Sequence, residues 1–395
     1  MKIRIKTKYK AFEIYLYLIA LMPLVALLQD VLPAINKVTF MFIFVFQILV
    51  IINRLTPMYT AFLSIALLTY VISAMNTSGF SYSNNMLYYI NWLLYVGTMC
   101  LNYDKMKNWI RDNKRYIYTI IILWNIAVGI SIFIPSCYFV KEAGARYFGS
   151  YVGSTFRLAP TALFIEIMVL NMIILFENKK SIVFMIVPMY CGFMGGSRTY
   201  FLILTIVMII AVFVINKNKY RFFATMIPIA LIGFAVFRKS AIFTKTMQTT
   251  DENMYGDNMT RFTSSRNIIW SDILHSFSKL NIYEKFFGAG FGFSNRVTSL
   301  AAHNDFIEIL VTYGYLGLIL YVFSVVILIY VFIRRKTISK IILVLSILVW
   351  LINASANMFC YYICAALSFP FLLCAVVFQG EKIKIKKETE KKHLR

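Results

Sequence analysis

Charge is what this sequence has least of. Only 14% of its 395 residues are Asp, Glu, Lys or Arg, well under the roughly 25% of an ordinary soluble domain, and 60% are hydrophobic. That balance describes an integral membrane protein. Metal and thiol chemistry lack their signatures too. The six cysteines form no CxxC pair and no ligand spacing with the three histidines, so neither a disulfide framework nor a zinc site is indicated, and they read as small buried hydrophobes. No DxD occurs, which argues against a metal-assisted nucleotide-sugar transferase. Gly288, Gly290 and Gly292 have no Lys-Ser/Thr after them and make no nucleotide motif; they read as a hinge or a close-approach turn. Glu166 is the only carboxylate well inside an apolar run, whereas an ion-coupled transporter places more ionisable groups at mid-membrane depth.

What is present is a series of apolar runs. About 20 apolar residues cross a bilayer core, and about 17 can suffice. On that basis spans are expected near 12–29, 38–52, 58–75, 86–101, 116–134, 158–176, 182–195, 199–215, 222–237, 306–333, 341–356 and 358–379. The basic N-terminus is followed by no small-residue cleavage site, so its apolar run reads as an uncleaved first span. The expected fold is all-α: one polytopic membrane domain over 1–395 with about 12 transmembrane helices, a large external loop at 238–302 and a basic tail at 380–395.

The net charge of +23 would suit nucleic acid, but its placement does not. Of the 40 basic residues, 27 fall in the two termini and in alternate short connections, the asymmetry that marks the cytoplasmic side. Both termini are therefore expected in the cytoplasm, with the positive charge facing anionic lipid headgroups. Nucleic acid is not expected as a partner. Two external segments are long, 135–157 and 238–302, and loops of that length are functional or disordered. The second contains "SRNIIWSDILHSF", where Ile269, Ile273 and Phe277 recur every fourth residue. That spacing is one face of an amphipathic helix, expected along the outer membrane surface.

Outward-facing arginines are not explained by topology. Arg146 and Arg157 lie in the first long segment, Arg198 between two spans, and Arg266 and Arg296 in the large loop. Arg198 sits in "GGSRTYF", where the glycines permit a tight turn and Ser197 or Thr199 can cap the next helix. A guanidinium at a helix N-terminus makes an anion site, with the interfacial alternative of snorkelling to headgroups. His303 lies where the loop enters a span, and a helix N-terminus favours its neutral form, which can act as a base. Asn304 and Glu308 share one helix face, and Asp305 suits an N-cap. Glu166 is a candidate partner for Arg157 or Arg198.

In order, "RYFGSYVGSTFRLAP", "GGSRTYF", "SSRNIIW", "FFGAGFGF" and "HNDFIEILVTYGYLGLILYV" resemble the O-antigen ligase and polymerase superfamily of bacterial inner-membrane enzymes, over roughly 144–330. The resemblance implies a multi-helix glycosyltransferase with a large periplasmic loop that needs neither metal nor cofactor. It assigns functional arginines to Arg198 and Arg266 and the junction histidine to His303. Arg157, Arg146, Arg296, Asn304 and Glu308 are added as binding residues for pyrophosphate or glycan. The implied partners are an undecaprenyl-pyrophosphate-linked oligosaccharide and membrane lipids, with a chain-length regulator protein as a further candidate. A polymerase is expected, acting on the periplasmic face of the inner membrane. A ligase would differ only in acceptor. A flippase predicts short loops and charges along a central path, whereas the polar residues here gather in one external loop.

Overall fold

The computed structural model describes the chain except residues 1, 30, 53, 78–86, 141–145, 217–219, 223, 226, 229–265, 335–336 and 394–395. Most of the expected span 222–237 and the first part of the loop, 238–265, lie outside the described residues. Among those described, the chain is helical apart from one small hairpin. In order come α1 (Lys2–Leu27), α2 (Pro33–Ile52), α3 (Pro57–Met75), α4 (Tyr88–Asp112) and α5 (Lys114–Ser131). The hairpin pairs β1 (Tyr138–Val140) with β2 (Arg146–Phe148) in antiparallel register, Tyr138 opposite Phe148; the all-α expectation did not include it. Then follow α6 (Thr155–Phe176), α7 (Ile186–Met194), α8 (Arg198–Ile215), α9 (Arg266–Ser278), α10 (Ile282–Phe287), α11 (Phe293–Thr298), α12 (Asp305–Ile333), α13 (Lys340–Ala356) and α14 (Ile363–His393).

Among the described residues, six helices are long and apolar enough to cross a membrane: α2, α3, α6, α8, α12 and the 363–385 part of α14. Two shorter apolar stretches accompany them, Ala11–Leu27 within α1 and Lys340–Ala356. The expected span 182–195 is instead a 3-10 stretch, Lys179–Met185, running into the nine-residue α7. Neither piece reaches the ~30 Å of a bilayer core by itself.

The bundle is organised around α6. That helix is apolar all round, as a fully enclosed helix must be, and 94% of its apolar window is buried. It packs on α14, α8, α7 and α1. By contrast α2 and α3 are only 29% and 22% buried, the exposure of helices that face lipid. Lipid tails are as apolar as leucine, so packing and interhelical hydrogen bonds must supply specificity. Trp92 donates to Ser324 Oγ at 2.8 Å, Tyr95 to the Leu367 carbonyl at 2.7 Å, and Asn171 to the Phe371 carbonyl at 2.9 Å. Bonds of this kind average about 0.6 kcal/mol in a membrane.

The expected span 306–333 is not one helix. Its backbone breaks at Gly314, with φ 69° and ψ −171°. Tyr321 Oη lies 3.0 Å from Asp305 Oδ2, although sixteen residues of straight helix would separate those positions by ~24 Å. Residues 305–313 therefore fold back along 315–333, and the Phe306 and Tyr321 rings meet at 5.9 Å. The apolar crossing is 315–333. The 305–313 arm carries the polar head into the bundle.

The glycine-rich stretch holds this hinge. Gly288, Gly290 and Gly292 all have positive φ, and the Ala289 N–H donates to Val311 O at 2.9 Å. A Cβ on Gly288 would sit 2.0 Å from Thr312 O, and one on Gly314 would sit 2.3 Å from Phe286 O. Of the two expectations for these glycines, the close-approach turn is the one found. The stripe of α9 also differs from its expectation. Ile273 and Phe277 are buried against Ala289, Phe293, Ala302 and Val311, with Ile269 packed beside them. The stripe covers the folded-back arm rather than a membrane surface, because the arm offers it an apolar face of its own.

Gly314→Ala combines a left-handed backbone with a backbone clash, and the two together should cost about 1–3 kcal/mol or more. Thermal unfolding in detergent should show a clearly lowered Tm, while Gly129→Ala, whose added Cβ meets nothing closer than 3.9 Å, should not. Equal Tm values would refute the hinge.

Candidate active site

Four segments bring three arginines and a histidine to one region. Arg198 begins α8 directly after a turn in which Gly196 has φ 69°. A side chain there would strike the Tyr147 ring at 2.1 Å, so the turn presses onto the β-hairpin. Ser197, not Thr199, caps α8, accepting from the Tyr200 N–H at 3.5 Å. Arg266 begins α9 and donates through Nη1 to the Ala356 carbonyl at the end of α13. Arg157 lies in the first turn of α6. His303 lies just before α12, at φ 50°, a conformation that non-glycine residues avoid and that clusters at functional sites. It is over-determined on both sides. Glu308 accepts from the Ala302 N–H at 3.2 Å, and Asn304 caps α12 by accepting from the Ile307 N–H at 3.2 Å.

Electrostatics show that these groups face one another. Burial lowers the Arg266 pKa; Tyr362 beside it opposes that shift, and the charge of Arg198 adds to it. The group stays charged regardless, since an arginine titrates far above neutrality. The His303 pKa is lowered by burial first and by the Arg266 charge second. Both effects favour the neutral imidazole near pH 7. Tyr362 is pushed up to about 12 by burial and by Tyr361, while Arg266 and Arg157 pull it down. Arg266 and Arg157 thus act on Tyr362, while Arg198 and His303 each lie within reach of Arg266. Tyr362 contacts Tyr361 ring to ring at 5.2 Å, and Tyr361 in turn contacts Tyr88 at 4.7 Å.

Those tyrosines open onto a cleft lined by rings and carboxylates, among them Tyr88, Phe291, Asp305, Glu308, Tyr313 and Tyr361. Glu308 accepts from Ser294 Oγ at 2.8 Å as well as from Ala302. Asp305 is not the helix cap. It is buried and accepts from Tyr321 Oη and, at 3.1 Å, from the Cys360 N–H, which ties the arm to the turn bearing Tyr361 and Tyr362.

Three other candidate residues have the following surroundings. Arg296 donates to the Phe291 and Ala289 carbonyls at 2.7 and 3.0 Å, so its guanidinium braces the glycine turn. Arg146 stacks on Tyr138 at 4.4 Å. By strand alternation that is the hairpin face opposite Tyr147, hence away from Arg198. Glu166 is fully buried, and neither carboxylate oxygen has a hydrogen-bond partner among the described residues; it pairs with neither Arg157 nor Arg198. Sequence reasoning missed Tyr88, Tyr361 and Tyr362. A tyrosine in an apolar run ordinarily marks the membrane interface, and only the adjacent pair "YY" beside Asn357 hints at more.

The class defined here is a membrane protein of apolar helices in which an arginine, Arg266, joins a histidine and further arginines beside an aromatic cleft. Within it, residues 181–322 match the O-antigen ligase family model, a stretch lying inside the 144–330 region of the resemblance. It contains Arg198, Arg266, Arg296, His303, Asn304 and Glu308, whereas Arg146, Arg157 and the three tyrosines fall outside it. No curated protein matches the chain.

NMR titration of the imidazoles should place the His303 midpoint below the usual 6.5, with His303→Asn assigning the signal among the three histidines. Removing the neighbouring cation in Arg266→Gln should raise that midpoint. A value at or above 6.5 that ignores this substitution would show that the two groups do not face each other.

Proposed function

We propose that the chain is a glycosyltransferase that extends a surface polysaccharide. In this reading it moves a glycan from undecaprenyl pyrophosphate to a lipid-linked repeat unit at the outer face of the bacterial inner membrane, with both termini cytoplasmic. The observation that carries the reading is the cluster centred on Arg266, which acts on His303 and Tyr362 and lies beside Arg198, with Arg157 acting on the same Tyr362; positions 198, 266 and 303 fall within the O-antigen ligase match.

The chemistry follows from the charges. The acceptor hydroxyl oxygen bonds to the anomeric carbon of the donor sugar as the bond from that carbon to the pyrophosphate oxygen breaks. Negative charge grows on the departing pyrophosphate, where preorganised guanidinium groups stabilise it most. Arginine forks suit phosphate oxygens bidentately. His303, neutral near pH 7, takes the hydroxyl proton as general base, a role that contributes typically 10²–10⁴-fold. The arginines supply the positive charge, so the step needs no metal. The bundle keeps the lipid carrier in the membrane while the cluster meets its headgroup.

A second reading has its own support, since the matched family is described as an O-antigen ligase. A ligase runs the same step with a lipid A core as acceptor. Polymerase is preferred because the match covers 181–322 alone, as suits a divergent member.

Purified chain reconstituted with one lipid-linked oligosaccharide, without metal or nucleotide sugar, should yield a ladder on a gel. Transfer only after lipid A core is added would make it a ligase, and no transfer in either case would defeat both. His303→Ala and Arg266→Ala should each lower the rate by 10² or more at unchanged protein level. Arg198→Lys should also fail, because a point charge cannot replace the planar fork. Wild-type rates in all three variants would remove the cluster from the mechanism.

A further inference from the structure

The aromatic cleft beside the cationic cluster has a chemistry of its own. Its rings come from three parts of the chain. Tyr88 and Tyr361 meet at 4.7 Å, Tyr89 stacks on Tyr313 at 4.2 Å, and Phe291 abuts Tyr313 at 5.8 Å. The cleft is open at its mouth, as a site that holds one ring of a longer glycan must be. Two carboxylates line it, and each uses only one oxygen internally. Glu308 Oε2 accepts both hydrogen bonds of that group, and Asp305 Oδ2 accepts both of the other. Glu308 Oε1 and Asp305 Oδ1 accept none among the described residues. The lining includes no Lys, Arg or His.

Flat rings with open acceptors match the C–H faces and hydroxyl edges of a sugar ring. Open acceptors lining a cleft favour a ligand that can donate to them. A carboxylate on the ligand would meet two acids and, among the described lining residues, no cation; Arg157 acts on Tyr88 and Tyr362 from outside the lining. We infer that this cleft is a saccharide subsite for an uncharged pyranose, with Asp305 Oδ1 and Glu308 Oε1 accepting from its hydroxyls, and that it excludes uronic and other acidic sugars from the position next to the transfer point. This assignment rests on the proposed glycosyl transfer. It adds a rule of specificity: acidic residues in the repeat unit must sit elsewhere than beside the reacting sugar.

The test is binding, read apart from turnover. Saturation-transfer NMR on the full chain in nanodiscs would compare methyl glucoside, galactoside and mannoside with the corresponding uronates. At least one neutral glycoside should bind, and its uronate should bind about tenfold more weakly or worse. Glu308→Gln, which keeps an acceptor for Ser294 and Ala302, should narrow that gap. Tyr361→Leu should weaken every neutral ligand. Equal binding of uronate and neutral glycoside, signals indifferent to both substitutions, or no glycoside signal at all would overturn the subsite. Gel assays on the same preparations keep the two ideas separate. A chain that makes a ladder without neutral preference loses the subsite alone, and one that selects neutral glycosides but transfers nothing loses the transfer reading.

Discussion

Everything around the site depends on one buried carboxylate. Asp305 accepts from Tyr321 on the crossing helix and from the Cys360 N–H in the turn before α14. Through those two bonds the folded-back arm, the crossing helix and the last helix share one fixed point. A lone buried carboxylate is among the costlier groups a protein can enclose, and removing a partner leaves that cost uncompensated. The arm therefore has one well-satisfied position rather than several. Glycine makes that position reachable. Gly288 and Gly314 let two backbones touch where any side chain would keep them apart.

From that fixed point the site is assembled in layers. Glu308 holds the residue before His303, Asn304 caps the helix after it, and Arg296 braces the turn that supports both. The guanidinium groups then arrive from outside the arm, Arg266 anchored on the end of α13 and Arg198 on a hairpin-backed turn. Bringing like charges together in a half-buried place is unfavourable in itself. The same proximity makes the place receptive to a multiply charged anion, and it keeps the imidazole neutral.

Much of the architecture was legible in the sequence because helices that meet lipid must be long and apolar. Arg198, Arg266 and His303 could be singled out because no topological reason explained them. The fold-back at Gly314 was not legible. The run "IEILVTYGYLGLILYV" is apolar on both sides of the glycine, and hydropathy does not distinguish a bent helix from a straight one. Asp305 read as a cap because an acid at a helix start usually is one; its distant partners Tyr321 and Cys360 are tertiary facts. The α9 stripe was read correctly as amphipathic and assigned the wrong neighbour, since period reports that a face is apolar but not what covers it. The tyrosines of the cleft stayed hidden for a related reason: aromatic residues are common in membrane proteins, and only folding makes these ones neighbours.

The order of the contributing residues along the chain has a consequence for synthesis. Arg157 is made early, Arg198 next, then Arg266 and His303, and Tyr361 and Tyr362 come within the last 35 residues. The carbonyl that accepts from Arg266 belongs to α13, and the N–H that donates to Asp305 belongs to the turn after it. A ribosome-bound chain that has inserted only its first helices holds scattered arginines and no cluster. The cluster is therefore complete only after the last two helices, α13 and α14, have been made, so whatever chemistry it performs is withheld from every shorter nascent chain.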